Sequence, residues 1–277
     1  MSAFADKVIW ITGASSGIGE ALAVAFAGEG ARLILSSRNE EALGRVKSQC
    51  DEISHAPNRS LVLPLDISEE SLLADKVAQA YEFGDGIDLL INNAGISQRS
   101  SCLTTEMSTY RTIFEVDVFG QIALTKLVLP IMIEQGQGHI AVTSSVAGKI
   151  GAPFRTGYCA AKHAVMGFFD ALRSEVQQHN IRVTTITPGY IRTNISANAV
   201  AGDGSTFGKD DADIKNGMSA QECAKVILTG LKKAKNEIAV GSGAEMHALW
   251  IKRFFPNLLF RIVNKQYQKS AKRDGFS

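Results

Sequence analysis

The segment KVIWITGASSGIG, from Lys7 to Gly19, joins an apolar run to a glycine-rich turn. Its first six residues predict a strand that is covered on both faces, because the run is continuous rather than alternating. Gly13, Gly17 and Gly19 permit a tight turn, and the helix that follows presents unpaired N–H groups to an anion. This strand–turn–helix order favours a site for the phosphates of a dinucleotide over a turn without a ligand.

Further apolar runs downstream predict six more strands, and segments of helical period separate them. The predicted strands cover residues 32–36, 61–65, 88–92, 139–143, 182–187 and 237–241, with helices in segments such as 17–30 and 158–179. Repeated strand–helix units predict an α/β fold, a single-domain Rossmann-type doubly wound parallel sheet. We expect residues 1–243 to form this Rossmann-fold domain and residues 244–277 a basic aromatic extension.

Composition limits the class of protein. The chain has 277 residues, 45% hydrophobic, and a formal net charge of +1, which gives no electrostatic reason to expect nucleic acid as a partner. The four cysteines lie far apart and suit a reducing compartment, so a disulfide framework is not expected. Neither a signal peptide nor a run of 18 uncharged apolar residues is evident, which predicts a cytoplasmic protein. The sequence contains no clustered motif of metal ligands, so no bound metal is predicted.

The end of the second predicted strand distinguishes between the two nicotinamide dinucleotides. An acidic residue there usually binds the ribose 2′-hydroxyl of NAD, whereas an arginine accommodates a 2′-phosphate. Here the sequence is Ser36-Ser37-Arg38-Asn39, without a carboxylate. The Arg38 fork can bind a phosphate in a bidentate manner, which favours NADP(H). A solvated surface charge is the alternative interpretation of Arg38.

Tyr158 and Lys162 lie four residues apart at the start of a predicted helix and therefore share one face. A phenol is a poor base at neutral pH, but a nearby ammonium stabilises its phenolate. Such a pair can give a proton to a carbonyl oxygen or remove one from an alcohol. Ser144 and Ser145, which end the preceding strand, offer a hydroxyl to the same oxygen.

These motifs, in this order, resemble the short-chain dehydrogenase/reductase (SDR) family over about residues 7–208. The resemblance is carried by Thr12–Gly19, Asn92-Asn-Ala-Gly95, Ser145, Tyr158-x-x-x-Lys162, and Pro188-Gly189 followed by Thr193. The stretches PFRTGY, AKHA and TPGYIRTN, at residues 153–158, 161–164 and 187–194, are most similar to the branch that contains SDR family member 7B. The resemblance implies an NADP(H)-dependent oxidoreductase that interconverts a carbonyl and an alcohol, with residues 1–243 as the catalytic domain.

The resemblance also implies a role for each matching residue. Ser145 holds the substrate oxygen, Tyr158 transfers the proton, and Lys162 binds the nicotinamide ribose and tunes Tyr158. The residues expected to bind the cofactor, besides Tyr158 and Lys162, are Thr12, Gly13, Ser15, Ser16, Gly17, Ile18, Gly19, Ser37, Arg38, Asp66, Asn93, Ala94, Gly95, Pro188, Gly189, Ile191 and Thr193. A homodimer or homotetramer is implied through the helices around Tyr110 and Tyr158.

One residue of the expected catalytic set departs from the family pattern. Asp117 occupies a position where the family usually has an asparagine that supports a helix distortion and a proton-relay water. Aspartate is nearly isosteric, so the backbone arrangement can survive, but an ionised carboxylate only accepts hydrogen bonds. It also adds a negative charge near Lys162. The fold and cofactor binding are therefore expected, and the alternative function is a dinucleotide-binding sensor or scaffold with weakened catalysis.

Two further segments bear on the substrate and on partners. Residues 196–217 are rich in Gly, Asp and Asn and predict a mobile loop, either a lid or a plain connection.

The extension interleaves cations with apolar and aromatic residues, which favours an anionic membrane surface and a pocket-closing or interface helix about equally. Pro256 is expected to break its helix. Apolar residues near 150–154, the loop after Thr193 and this extension indicate a hydrophobic small-molecule substrate, such as a lipid, steroid or retinoid-like carbonyl. The cations are Lys252, Arg253, Arg261, Lys265, Lys269, Lys272 and Arg273.

Overall fold

The computed structural model describes residues 2–54, 59–209 and 211–274, without the side chains of 212, 266 and 269–274. Seven parallel strands form the central sheet in the order β3-β2-β1-β4-β5-β6-β9. They are β1 (Val8–Thr12), β2 (Arg32–Ser36), β3 (Ser60–Val62), β4 (Leu89–Asn92), β5 (Gly138–Thr143), β6 (Ile181–Pro188) and β9 (Glu237–Val240). β7 (Ile191–Arg192) and β8 (Met218–Ser219) pair separately. The predicted doubly wound sheet is confirmed.

Helices cover both faces of this sheet and bury two large apolar clusters against it. Helices α1, α2 and α8 contribute to one cluster, while α3, α5 and α6 contribute to the other. The helices are α1 (Gly17–Ala27), α2 (Glu40–Ser54), α3 (Glu70–Gly84), α4 (Met107–Phe114), α5 (Gly120–Glu134), α6 (Thr156–Val176), α7 (Ala212–Lys215), α8 (Ala220–Lys232), α9 (Ala244–Phe254) and α10 (Pro256–Asp274). The strand order reverses between β1 and β4, and in such sheets ligands bind at the carboxyl ends of the strands there.

The predicted strand over residues 61–65 is shorter in the structure, where β3 ends at Val62. Leu63 N still donates to Leu35 O of β2 at 2.9 Å, and Leu65 N donates to Ser37 O, just after β2, at 3.0 Å. Pro64 lies between them on the outermost strand, where its missing N–H faces the open edge of the sheet. Hydrogen bonding to the neighbouring segment therefore continues past Pro64, although the regular strand ends at Val62.

The predicted break at Pro256 is confirmed. Helix α9 ends at Phe254, and Pro256 is the first residue of α10, the position where proline is best tolerated because its N–H would be unpaired anyway. Residues 275–277, the end of the predicted extension, lie outside the described residues.

A continuous helical segment from Met107 to Glu134 is long and apolar enough to cross a membrane, with a mean hydropathy of 1.7. A π-helical turn, Glu115–Phe119, joins its two parts, α4 and α5. Three of its side chains, Leu124, Val128 and Met132, are fully buried in the apolar cluster beneath the sheet. These contacts are those of a core helix in a Rossmann-type domain.

His139, at the start of β5, is expected to make the free energy of unfolding depend on pH in the acidic range. Its Nε2 lies 2.8 Å from Thr184 Oγ1, and that hydroxyl donates to Lys235 O. Burial, aided by the charge of Arg182, lowers the pKa of His139 to about 4. Between these two pKa values, His139 is protonated in the unfolded chain but neutral in the native state. The free energy of unfolding is therefore expected to fall by about 1–3 kcal/mol as the pH drops from about 6.5 to 4.

Urea unfolding at several pH values measures this loss. The His139→Gln variant cannot titrate in this range, so it should show a flatter acid limb. An equally steep limb in that variant would contradict the assignment to His139.

Candidate active site

The glycine-rich turn after β1 adopts backbone conformations that side chains rarely permit. Gly13 and Gly17 have φ values of +66° and +60°. A Cβ on Gly13 would lie 2.9 Å from Ala94 Cα, and one on Gly17 would lie 3.0 Å from Thr193 Cγ2. A Cβ on Gly19 would collide with Gly13 O. The turn is therefore packed tightly against the loops after β4 and β6, and the N-terminus of α1 stays open to an anion.

Hydrogen bonds of Thr12 connect this turn to the loop after β4. Its Oγ1 accepts hydrogen bonds from the N–H groups of Asn93 and Ala94, each at 3.0 Å. The Asn93 side chain returns a bond from Nδ2 to Thr12 O at 3.1 Å. Below them, Asn92 Nδ2 donates to Thr125 Oγ1 at 2.9 Å. The two loops at the strand-order reversal thus form one rigid wall.

A cavity of about 1050 Å³ runs along the carboxyl ends of the strands. Its lining includes the expected residues Thr12, Gly13, Ser15, Ser16, Gly17, Ile18, Ser37, Arg38, Asp66, Asn93, Ala94, Gly95, Ser145, Tyr158, Lys162, Pro188, Gly189, Ile191 and Thr193. Two expected residues, Gly19 and Asp117, are absent from the lining and lie behind it. The sequence motifs therefore converge on one continuous site.

At one end of the cavity, Arg38 follows β2 with 72% of its side chain exposed. Its Nη1 lies 3.9 Å from Asp66 Oδ2, a loose contact across solvent. Asp66 Oδ1 accepts from the Ser68 N–H and hydroxyl at 3.0 and 2.6 Å, which fixes that carboxylate. The guanidinium is therefore accessible to a phosphate at the rim.

At the other end, Ser145, Tyr158 and Lys162 line the same space. Lys162 is buried, donates from Nζ to Thr143 O at 3.2 Å, and has that Nζ 5.7 Å from the centre of the Tyr158 ring. Ser145 follows β5, and its Oγ accepts from Ala147 N at 3.1 Å. A hydroxyl, a phenol and an ammonium thus meet beside one wall, a set that can orient an oxygen and move a proton to it.

Asp117 lies in the π-helical turn, with its side chain 0% exposed. Its Oδ1 accepts from Ile96 N at 2.7 Å, and its Oδ2 lies 3.1 Å from Lys162 Nζ. Burial raises the pKa of Asp117 above its ordinary value, against the opposing pull of Lys162. Burial by itself would lower the pKa of Lys162, but the neighbouring Asp117 and Tyr158 raise it overall. The helix distortion that the resemblance associates with asparagine is present with aspartate in its place.

Several charged or polar residues of the lining were not predicted as site residues, among them Arg155, Tyr190 and Glu245. Arg155 immediately precedes α6, three residues before Tyr158. Tyr190 and Glu245 also line the cavity, and Tyr190 N donates to Glu245 Oε1 at 3.2 Å. The adjacency of Arg155 to the tyrosine is a usable signal. Nothing local marks Glu245, which reaches the site only because α9 packs there.

The loop over residues 196–217 contains more structure than the composition indicates. It includes α7, and Asp211 forms ion pairs with Arg99 and with Arg155, the latter at 2.8 Å. These pairs join the loop to the cavity wall. Its mobility stays a prediction, and Asp210 lies outside the described residues.

The remaining candidates lie apart from the cavity. His163 is exposed, with Nδ1 2.8 Å from Cys159 O, which confirms that it points away from Lys162. All four cysteines are free, and burial raises the pKa of Cys50 and of Cys223 to about 12. Within residues 2–54, 59–209 and 211–274, no group of three His, Cys, Asp or Glu side chains could hold a metal ion. The absence of a metal remains a prediction.

The sequence matches a family model described as "short chain dehydrogenase" over residues 7–204. Among curated relatives, the bovine (Bos taurus) dehydrogenase/reductase SDR family member 7B is 39% identical over 271 residues, which cover 96% of this chain and 83% of the relative. The resemblance to the SDR family and to its 7B branch is thereby confirmed.

Solved structures share the fold. An SDR from Burkholderia phymatum in complex with NAD has a TM-score of 0.81 and 24% identity, and the match covers 93% of this chain and 96% of that one. An alcohol dehydrogenase from Thermococcus sibiricus, complexed with 5-hydroxy-NADP, has a TM-score of 0.73 and 23% identity, with coverages of 85% and 96%. At these identities the likeness concerns the fold alone.

Proposed function

Because the chain belongs to the short-chain dehydrogenase/reductase family of nicotinamide-dependent oxidoreductases, we propose that it is an NADP(H)-dependent enzyme that interconverts a carbonyl and a secondary alcohol. One observation carries this proposal: Ser145, Tyr158 and Lys162 share a cavity of about 1050 Å³ with the glycine-rich turn. A hydroxyl group, a phenol and an ammonium beside a dinucleotide cradle suit carbonyl chemistry, because together they can orient an oxygen and transfer a proton to it.

The residues present fit a dinucleotide. The turn from Gly13 to Ile18 would hold the pyrophosphate, since a Cβ on Gly13 would fill the space next to Ala94 and the N–H groups of α1 face the cleft. Asp66 would contact the adenine, and Ile191 and Thr193 would hold the nicotinamide end. When bound, the nicotinamide supplies a hydride for reduction or accepts one in oxidation.

The chain's own side chains would move the proton. The Tyr158 hydroxyl donates to the carbonyl oxygen during reduction and receives the alcohol proton in the reverse direction. Ser145 Oγ donates to the same oxygen and polarises the carbonyl. Lys162 stabilises the phenolate that forms and binds the ribose, and Asp117 moderates the charge of that lysine from 3.1 Å away.

NADP(H) is favoured over NAD(H) on the basis of Arg38. The solved relatives include an NAD complex and a 5-hydroxy-NADP complex, so they do not discriminate between the two. No carboxylate ends β2, where the sequence is Ser36-Ser37-Arg38, and the guanidinium is free to meet a 2′-phosphate.

Replacing Arg38 by alanine is expected to weaken NADPH binding about 10- to 100-fold, because one or two charge-assisted hydrogen bonds are lost. Affinity for NADH, which lacks the phosphate, should change less than about twofold. Fluorescence titration of both dinucleotides measures the two effects, with Arg45→Ala at the same rim as a control for non-specific charge. Equal losses for both dinucleotides would reject the assignment of Arg38 to the 2′-phosphate.

Replacing Asp117 by asparagine is expected to shift the pH profile of alcohol oxidation to lower pH. The carboxylate opposes the ability of the Lys162 ammonium to stabilise the phenolate, so its neutral replacement lets Tyr158 act as a base at lower pH. The profile of kcat/KM against pH measures the shift. Unchanged turnover at every pH would show that this departure from the family pattern is unimportant.

The substrate is proposed to be a hydrophobic small-molecule carbonyl or alcohol. Apolar residues such as Ile150, Ala152 and Ile214 line the reactive end of the cavity. NADPH oxidation over a panel of aldehydes and ketones of increasing apolar size tests the proposal, and rising kcat/KM with apolar size is expected.

The second candidate is a dinucleotide-binding sensor or scaffold, and the buried carboxylate beside Lys162 favours it. Such a protein would bind NADPH tightly and turn over no compound of the panel. The same experiment therefore separates the two functions.

We further propose a homodimer or homotetramer in the cytoplasm. The helical segment around Tyr110 presents exposed apolar side chains, including Met107 and Phe119, that a partner copy could cover. Sedimentation analysis tests this assembly.

A further inference from the structure

We propose that the exposed aromatic and basic face of α9 and α10 docks the protein on an anionic lipid bilayer. This docking face has six large apolar side chains, each between 37% and 67% exposed: Trp250, Phe254, Phe255, Leu258, Phe260 and Ile262. Interleaved with them are the cations Lys252, Arg253, Arg261 and Lys265. Large exposed apolar patches mark interaction sites, and aromatics interleaved with cations are typical of helices that lie in a membrane interface.

The docking face is fixed by packing on its opposite side. Leu259 is 4% exposed and, with Val263 and the half-exposed Phe260, borders a small cavity whose other wall is formed by residues 151–159. The rings of Phe154 and Tyr267 stack at 5.4 Å. Because α10 buries this stripe against the domain, the side chains on its other side must point outward.

Contacts between the two helices hold the exposed aromatics in place. The Trp250 and Phe254 rings stack 6.1 Å apart with an interplanar angle of 6°. Lys252 Nζ lies 4.9 Å from the centre of the Phe260 ring and so joins α9 to α10. The aromatics therefore form a preorganised surface, which a flexible tail would not provide.

The charge of the face favours lipid over a second copy of the chain. Residues 244–268 contain four lysines and arginines against one acid, Glu245. Glu245 Oε1 is already occupied by Tyr190 N. A twofold interface would bring like charges together, since the same patch lies on both partners. An anionic bilayer supplies the complementary charge, and the aromatic rings suit its headgroup region.

The docking face adjoins the cavity that holds Tyr158. Helix α9 begins beside Glu245, which lines that cavity, and α10 covers the segment that leads into α6. A docked protein would therefore present this end of the cavity to the bilayer, where apolar carbonyl compounds accumulate. This last step rests on the proposed function, whereas docking itself does not.

The two tryptophans make the test possible without a label. Trp250 is 67% exposed on the docking face, while Trp10 is fully buried in β1 and donates from Nε1 to Ser36 Oγ. Vesicles of phosphatidylcholine with 30 mol% (about one in three) phosphatidylserine should shift Trp250 emission to the blue, and brominated lipid should quench it. Phosphatidylcholine vesicles alone should produce little change.

Two double variants, measured by vesicle flotation, separate the apolar contribution to vesicle binding from the charged one. The Trp250→Ser/Phe254→Ser and Arg253→Glu/Arg261→Glu variants are each expected to bind anionic vesicles at least about tenfold more weakly. Matched controls alter exposed residues elsewhere: Leu72→Ser/Leu103→Ser, and Lys225→Glu/Lys233→Glu. These controls should bind as the unchanged chain does.

Absence of binding to anionic vesicles, or equal loss in the controls, would overturn the proposal. So would a dimer that dissociates in the Trp250→Ser/Phe254→Ser variant without any vesicle binding, because a second copy would then cover the face. NADPH turnover on water-soluble aldehydes is measured in parallel with every variant. Flotation without turnover would contradict only the proposed function, and turnover without flotation would contradict only the docking.

Discussion

Replacing Tyr158 by phenylalanine is expected to lower kcat for carbonyl reduction by about 10²- to 10⁴-fold, the usual contribution of a positioned general acid. The ring packs against Ala147 and Cys159, and phenylalanine preserves those contacts while removing only the hydroxyl. The free energy of unfolding and the affinity for NADPH should therefore stay close to their original values. Single-turnover NADPH oxidation measures the loss directly.

Tyr110→Phe is the matched control, because it removes a phenol hydroxyl outside the cavity. Tyr110 Oη lies 2.8 Å from Thr156 Oγ1, at the start of the same helix α6. Its loss should change kcat by less than about threefold, since one exposed hydrogen bond contributes only about 1 kcal/mol or less to stability and takes no part in the reaction. Full activity of Tyr158→Phe would remove the basis of the proposed mechanism.

The fold could be predicted from the sequence because its signals are local. Continuous apolar runs bounded by turns predict buried parallel strands, and the seven predicted strands match the seven of the central sheet. Gly13, Gly17 and Gly19 lie within one segment of seven residues, so their joint role in one turn is visible without a structure. The break at Pro256 follows from a single ring that removes a backbone donor.

The details of the cavity depended on contacts between distant parts of the chain. Glu245 reaches the cavity from the opposite end of the sequence, and Asp211 joins Arg99 to Arg155 across three separate segments. The spacing of residues in the sequence does not predict these contacts, because they depend on how the loops pack once the sheet has formed. Asp117 is intermediate: its proximity to Lys162 was expected from the family resemblance, but its complete burial and its bond from Ile96 N required the structure.

Replacing Lys162 by methionine is expected to lower the free energy of unfolding by about 3–5 kcal/mol, because it leaves the buried Asp117 carboxylate without its partner. The loss should be largest at neutral and alkaline pH. Burial already raises the pKa of Asp117, and without Lys162 that pKa rises further. The native carboxyl then holds its proton more tightly than the unfolded one does, so stability falls as the pH rises from about 4 through the native pKa.

Adding Asp117→Asn to Lys162→Met should restore most of the stability but none of the activity. The double variant removes the unpaired charge, whereas the ammonium that would stabilise the phenolate and bind the ribose stays absent. Lys7→Met is the matched control: it breaks a 2.7 Å pair with Asp88, but both side chains are partly exposed, so a loss of only about 0–1 kcal/mol is expected. Urea unfolding and kcat/KM measure the two properties separately. If the double variant regained activity together with stability, Lys162 would be acting as a structural residue alone, because the ammonium is the one group that the rescue does not replace.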